Sequence, residues 1–572
     1  MKYTISYNHP EKHFIDFELS ISVLKKDTLV LQLPAWRPGR YELGNFAKNI
    51  KDFKILDSQN NLVLYNKKNK DSWEVNTVKY DEIIVKYSYY AAELNAGSTF
   101  LNEDQLYINP VNCMMYVEGE SDLGYEISFS IDKDMDLFTS LAKQSKHVLK
   151  AKSFDELADS PIIASNSLQY KKREISGLDF HFCFQGEIKV DWNKVFNDFE
   201  KFIDYQIAQF GSFPHKEFYF LFQITPYKSY HGVEHHKSTV ILLGSSYDVF
   251  GKLYNEFLGV SSHELYHVWN IKSIRPIQMH PYEFSKENYT HLGYVAEGVT
   301  TYMGDRILYE SGVFSKEDYF KELKTLLIRH FHNDGRHNYS VAESSWDTWL
   351  DGYVTGVPGR KVSIYVEGAL IAMICDAKIR KQTNHEKSLH DAMKELYSGS
   401  NLETNYDKES YKNTLEKISG IDFTNVFNDL IYGKKDFTKY LKKAFNVFGW
   451  DYTNITSQKL AYRYGLKTLF KDGNSLVVSI LEGSSAYLSA LAKDDILIAI
   501  NGFTINNDLE SWLKYFSEDE IVLLIEREGK LKEIRLGKIN DFQYYNYEIK
   551  DLKMKDFNAL KWLCLLSFIG FL

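Results

Sequence analysis

The chain has 572 residues, 44% of them hydrophobic and 25% charged, and a formal net charge of −9. That length exceeds what one hydrophobic core serves, so three or four soluble globular domains are expected, and an acidic balance without a long basic run excludes a nucleic-acid binder. Cys113, Cys183, Cys375 and Cys564 are scattered without CxxC spacing, which excludes a disulfide framework and reads as small buried hydrophobes.

The opening MKYTISYNHPEKHF has no apolar stretch of the signal-peptide kind, so a cytoplasmic chain is expected. From residue 1 to 175 the pattern is that of strands. Ile15 to Val23, Tyr125 to Ile131 and Phe180 to Phe184 alternate apolar and polar residues, as strands with one wet face do, and predict a β-sandwich-like domain. His181 alternates with phenylalanines and reads as a solvent-side residue. After Gly186 the period changes: Val195, Phe199, Phe202, Ile203 and Phe210 follow helical spacing that stops at Gly211. An apolar strand, Glu217 to Ile224, precedes Tyr230-His231-Gly232-Val233-Glu234-His235-His236 and a further strand from Thr239 to Leu243.

Next comes Ser262-His263-Glu264-Leu265-Tyr266-His267, followed by Trp269-Asn270. In a helix, residues i and i+4 share a face one turn apart, so His263 and His267 can reach one metal ion while Glu264 stands beside them as a base. Two neutral imidazoles, an open coordination position and an adjacent carboxylate are what zinc-assisted hydrolysis needs. Downstream, Glu297 lies in an apolar, helix-like run from Thr290 to Met303; it is either salt-bridged or the third zinc ligand, because an unpaired buried charge is costly. Thr301, one turn on, is a candidate support for that ligand.

Residues 310 to 455 read as helical, interrupted by a Gly/Pro loop near Gly352 to Gly359. Tyr365 opens a buried helix, where a phenol can donate to an oxyanion. From 457, short strands return: Leu476 to Ile480, then Gly483-Ser484-Ser485 and an Asp495-initiated strand ending at Asn501-Gly502 form a unit of ~80 residues. Residues 541 to 572 are expected to be a tail, its apolar end from Ala559 too short to span a bilayer and better suited to a docked helix.

Taken together, these stretches resemble the PDZ-bearing glycyl aminopeptidases, metallopeptidase family sixty-one. Leu33-Pro34-Ala35-Trp36-Arg37-Pro38-Gly39-Arg40-Tyr41 is similar to that family's N-terminal signature, and Gly232-Val233-Glu234-His235 to its Gly-x-x-Glu-His strand. The block from His263 to Asn270, Lys272 and Arg275-Pro276 resembles its most specific motif, and Ala296-Glu297-Gly298 its third-ligand helix. Lys387-Ser388-Leu389 with Leu396-Tyr397 fits a later signature.

The resemblance implies a multidomain α+β protein: an N-terminal β-sandwich-like domain (1–175), a thermolysin-like, mostly α-helical catalytic domain (176–456), a PDZ domain (457–540) and the tail. It implies zinc held by His263, His267 and Glu297, with Glu264 as base and Tyr365 on the oxyanion. The substrate's amino terminus is then expected at Glu234 on the strand that includes Gly232. Glu367 stands where a basic residue is common in the family, a departure expected to alter substrate preference. The expected partners are peptides with a free amino terminus and, at Tyr464-Gly465-Leu466, a peptide carboxylate. An endopeptidase on the same metal and a PDZ-type adaptor without catalysis are the alternatives.

Overall fold

The computed structural model describes residues 1–22, 26–354, 356–398 and 405–552. Val23, Cys564 and the apolar segment 559–572 lie outside the described residues.

The alternation in Phe14–Ser22 buries every second residue, and Glu82–Tyr90 beside it does the same. These two strands stand at the centre of an eight-stranded sheet in which Lys2–Ser6 pairs in parallel with Tyr125–Ser130. Two four-stranded sheets close over its apolar face. Ile15, Phe17, Leu31, Val85, Leu106 and Ile127 therefore share one core, a sandwich-like arrangement. Gln169–Ile175 does not belong to it. That strand pairs with Leu178–Gln185 in the next sheet, across the division expected at 175.

The second sheet has five strands in the order Gln169–Ile175, Leu178–Gln185, Glu217–Thr225, Ser238–Gly244 and Ser229–Glu234. Ser229–Glu234 is thus an edge strand, with one row of backbone groups left for another chain. Behind the sheet packs the helix Trp192–Phe210, capped by the Asp191 side chain and ended by Gly211 at φ 83°. His181 is not simply solvent-facing: its ring stacks on Tyr219, with centroids 4.2 Å apart.

Helices make up most of residues 254 to 447. Tyr254–Tyr266 carries the first histidine. Tyr294–Val299 is a π-helical turn that runs into the α-helix Thr300–Glu310. This wide turn lies against Ile364–Gln382 almost backbone to backbone: a Cβ on Gly298 would come 2.3 Å from the Cα of Gly368. Two glycines therefore set the spacing between the elements that carry Glu297 and Tyr365.

A buried ionic node fastens the same helices from behind. The Glu310 carboxylate accepts from Arg306 Nε at 2.7 Å, Arg380 Nη2 at 3.2 Å and the Tyr205 hydroxyl at 2.7 Å. Replacing Glu310 by Ala removes the carboxylate that Arg306 and Arg380 share, although Arg380 keeps Asp376 at 2.9 Å. We expect a loss of about 3–5 kcal/mol in the urea unfolding of this region, against at most about 1 kcal/mol for an exposed carboxylate such as Glu518.

Beyond residue 456, Leu466–Lys471, Asn474–Ile480, Ile496–Ile500, Phe503–Thr504, Ile521–Arg527 and Lys530–Leu536 form a separate sheet with its own core. The chain enters this unit from Trp450–Ile455 and leaves it through Asn546–Asp551, and those two strands pair antiparallel. Tyr547 and Ile549 pack into the core of the helical region. The segment expected to be tail from 541 thus contains a paired strand. No helix among the described residues is long and apolar enough to cross a membrane.

Candidate active site

The two histidines lie where i, i+4 spacing predicts. His263 and His267 present their Nε2 atoms to each other at 3.0 Å, and Glu297 Oε2 stands 3.8 and 3.5 Å from them. His267 Nδ1 faces the carbonyl of Asn270 at 3.0 Å, which directs Nε2 inward. Asn270 does more than this: its Nδ2 donates to the carbonyls of Val295 and Ala296 and to Thr300 Oγ1, clamping the π-helical turn to the histidine helix. Nothing in residue spacing signalled that clamp. Nor did the helical reading of 290–303 show the π turn, a distortion that proteins concentrate at functional sites.

Two imidazoles and a carboxylate oxygen within 4.8 Å of one another suit a divalent cation. Burial pulls the His267 pKa down, but the Glu297 carboxylate, with Glu234 and Glu264 beyond it, pushes it up to about 9. His263, buried and facing that cation, is driven well below the ordinary histidine value. The cluster is electrostatically built to hold one positive charge.

Glu264 lies next to this pair. Its Oε2 is buried without a hydrogen-bond partner. Burial holds its carboxyl well above the usual range; His267 pulls the other way, and Glu234 and Glu297 add to the rise. Its room comes from Gly232 on the edge strand, where a Cβ would sit 2.1 Å from Glu264 Oε1. Gly232 was expected at the substrate, and it does line the cleft, but its lack of a side chain is demanded by Glu264.

The cleft holds about 450 Å³ and is lined by Gly39, Gly232, Glu234, His263, Glu264, His267, Glu297, Thr301 and Tyr365, among others. It thus brings together every site residue expected from the sequence. Tyr365 is pushed well above the usual phenol pKa by burial and then by the Glu297, Tyr353, Glu234 and Glu264 side chains, so it stays a proton donor. Thr301 does not support the Glu297 carboxylate; its hydroxyl donates to the Glu297 backbone carbonyl at 2.8 Å. Glu367 points away from the cleft and accepts from His330 Nδ1 at 2.7 Å, so its departure from the family pattern is compensated inside the core.

The N-terminal domain contributes part of the wall. In the stretch 33–41, Arg37 Nη2 lies 3.5 Å from His231 Nε2, a Cβ on Gly39 would meet Glu234 Oε2 at 2.5 Å, and the Tyr41 hydroxyl donates to Glu297 Oε1 at 2.9 Å. The same interface explains Lys272: it is buried and bonds Asp159 of the N-terminal domain at 2.8 Å. Asp159 also accepts from the His236 amide and, at 3.2 Å, faces His235 Nδ1 beside Glu234.

In the C-terminal unit the loop Tyr464-Gly465-Leu466 was expected to offer its amides to a peptide carboxylate. Two are already engaged: Tyr464 N donates to the carbonyls of Leu460 and Ala461, and Gly465 N to that of Tyr462. The short helix Leu460–Arg463 ends in this loop and uses those donors itself.

The fold and the convergent side chains are those of a peptidase. Residues 2–166 match the family model for the Peptidase M61 N-terminal domain, and residues 256–371 that for M61 glycyl aminopeptidase. Between them the two matched regions contain Tyr41, His263, Glu264, His267, Glu297 and Tyr365. Among solved structures, an aminopeptidase N family protein from Idiomarina loihiensis superposes with a TM-score of 0.91 at 25% identity, covering 98% of this chain and 99% of that one. An M1 zinc metallopeptidase from Deinococcus radiodurans gives a TM-score of 0.48 at 10% identity over 76% of this chain and 94% of its own. No curated protein matches the sequence.

Proposed function

We propose that this protein is a zinc-dependent aminopeptidase that removes a small N-terminal residue, glycine or alanine, from peptides. The observation that carries the reading is the convergence of His263, His267 and Glu297 beside a buried, unpartnered Glu264. Zinc held by those three ligands would supply Lewis-acid polarisation of the scissile carbonyl. Glu264 takes a proton from the attacking water and returns it to the leaving amine, a role that suits a carboxyl raised above its usual range. Tyr365 donates a hydrogen bond from its phenolic O–H to the tetrahedral oxyanion. A peptide laid antiparallel along Ser229–Glu234 pairs with the free strand edge.

Glu234 sets the register. It stands at the end of that strand, 5% exposed, and can pair with a free ammonium. The turn at Gly39 lies against its carboxylate, where a Cβ would come 2.5 Å from Oε2. The family description, glycyl aminopeptidase, supports glycine, and alanine extends it by one methyl group. The test compares glycyl and alanyl peptides, free and N-acetylated. The wild-type enzyme should cleave only the free forms, and Glu234→Ala should lower kcat/KM on them by about 10²-fold or more while leaving the acetylated forms as poor as before. Equal cleavage of free and acetylated peptides by the wild type would refute the aminopeptidase assignment in favour of an endopeptidase.

A further inference from the structure

We propose that Tyr41, carried into the cleft by the N-terminal domain, is the positioning residue of the third metal ligand, so that the metal site is complete only across the domain boundary. The proposal rests on the metal reading of the site given above. Glu297 has two carboxylate oxygens with different surroundings. Oε1 accepts the Tyr41 hydroxyl at 2.9 Å, while Oε2 is the oxygen that faces both histidines. A carboxylate held in this way offers a cation one oxygen rather than two, and its rotation about the last side-chain bond is stopped. Among the described residues Tyr41 is the side chain that donates to Oε1, while His267 stands on the Oε2 side at 3.5 Å. Thr301, the neighbour one turn away, spends its hydroxyl on the backbone.

The support is itself rigid. Ala35 N and Trp36 N donate to the carbonyl of Phe284, and Gly44 N to that of Ala35. The Trp36 indole donates to the Arg40 carbonyl and packs against Tyr282 and Trp349. Tyr41 N donates to the Tyr353 hydroxyl at 3.1 Å, and its ring meets Trp349 edge-on. Tyr41 and Glu297 are each 3% exposed, so water does not compete for the bond. A phenol fixed so firmly at that point acts on the ligand's geometry.

The test uses the full chain and measures zinc affinity by competition with a chromophoric chelator. Tyr41→Phe keeps the ring and removes the hydroxyl; zinc binding should weaken about 10–100-fold. Cobalt-loaded Tyr41→Phe should also show an altered visible spectrum, as the freed carboxylate changes its coordination. To separate positioning from general loosening, the same change is made on Glu297→Gln, where it should cost zinc binding little more. Wild-type zinc affinity in Tyr41→Phe, or losses that simply add in the double variant, would overturn the proposal while leaving the metal site intact. A wild-type protein that binds no zinc would instead overturn the metal reading itself.

Discussion

Glu264→Gln should bind zinc as the wild type does and hydrolyse glycyl substrates about 10²–10⁴-fold more slowly. The substitution is nearly isosteric, and Gly232, without a Cβ, leaves the same space for an amide as for a carboxylate. What is lost is the ability to take up a proton. Burial, with the Glu234 and Glu297 charges, raises the Glu264 carboxyl above the usual range, while His267 pulls it down. The change should appear in kcat, with KM and metal content little altered, since Glu264 is not among the three proposed ligands. A variant that turns over at near the wild-type rate would refute Glu264 as base. A variant that loses its metal would mean that Glu264 belongs to the ligand set, as the second convergent group of Glu234, Glu264 and His267 would allow.

The residues proposed to perform the chemistry were legible because chemistry fixes spacing. His263 and His267 had to be four apart, Glu264 had to lie between them, and a third acidic residue had to lie downstream in an apolar run. Glu297 was the residue that burial made improbable without a partner. The supporting parts were not legible in this way, because they depend on contacts between segments far apart in the chain. Tyr41 is 256 positions from Glu297, and nothing local marks its hydroxyl as the partner. Lys272 sits five residues after His267, yet it serves the domain interface through Asp159. The π turn at Tyr294–Val299 depends on Gly298 meeting Gly368 from another helix, a tertiary effect with no periodic trace. The strand alternations gave the sandwich-like domain, but pairing placed Gln169–Ile175 in the neighbouring sheet. Glu367 shows the opposite error: read alone it is a charge change at the cleft, and only the packing reveals His330 beside it.

Removal of the metal should abolish activity, and its return should be steeply dependent on pH. In the metal-free protein His267 holds a proton with a pKa of about 9, and zinc must displace it. Apparent zinc affinity should therefore climb about tenfold per pH unit between pH 7 and 9 and level off above. Stability changes in the opposite direction in the metal-free state. The folded pKa of His267 is raised above its unfolded value of 6.5, so its contribution is complete below that value and is lost as pH rises through about 9. His263, with a depressed folded pKa, contributes above 6.5 and loses that contribution as pH falls. Zinc bound only by the native site adds RT ln(1 + [Zn]/Kd), which grows as the affinity grows. The gap in Tm between the zinc-loaded and chelator-treated protein should thus widen from pH 7 to pH 9, by about 1.4 kcal/mol of stabilisation per unit at fixed free zinc. A gap that stays constant across that range would mean that zinc displaces no proton from His267, and the ligand assignment would have to be revised.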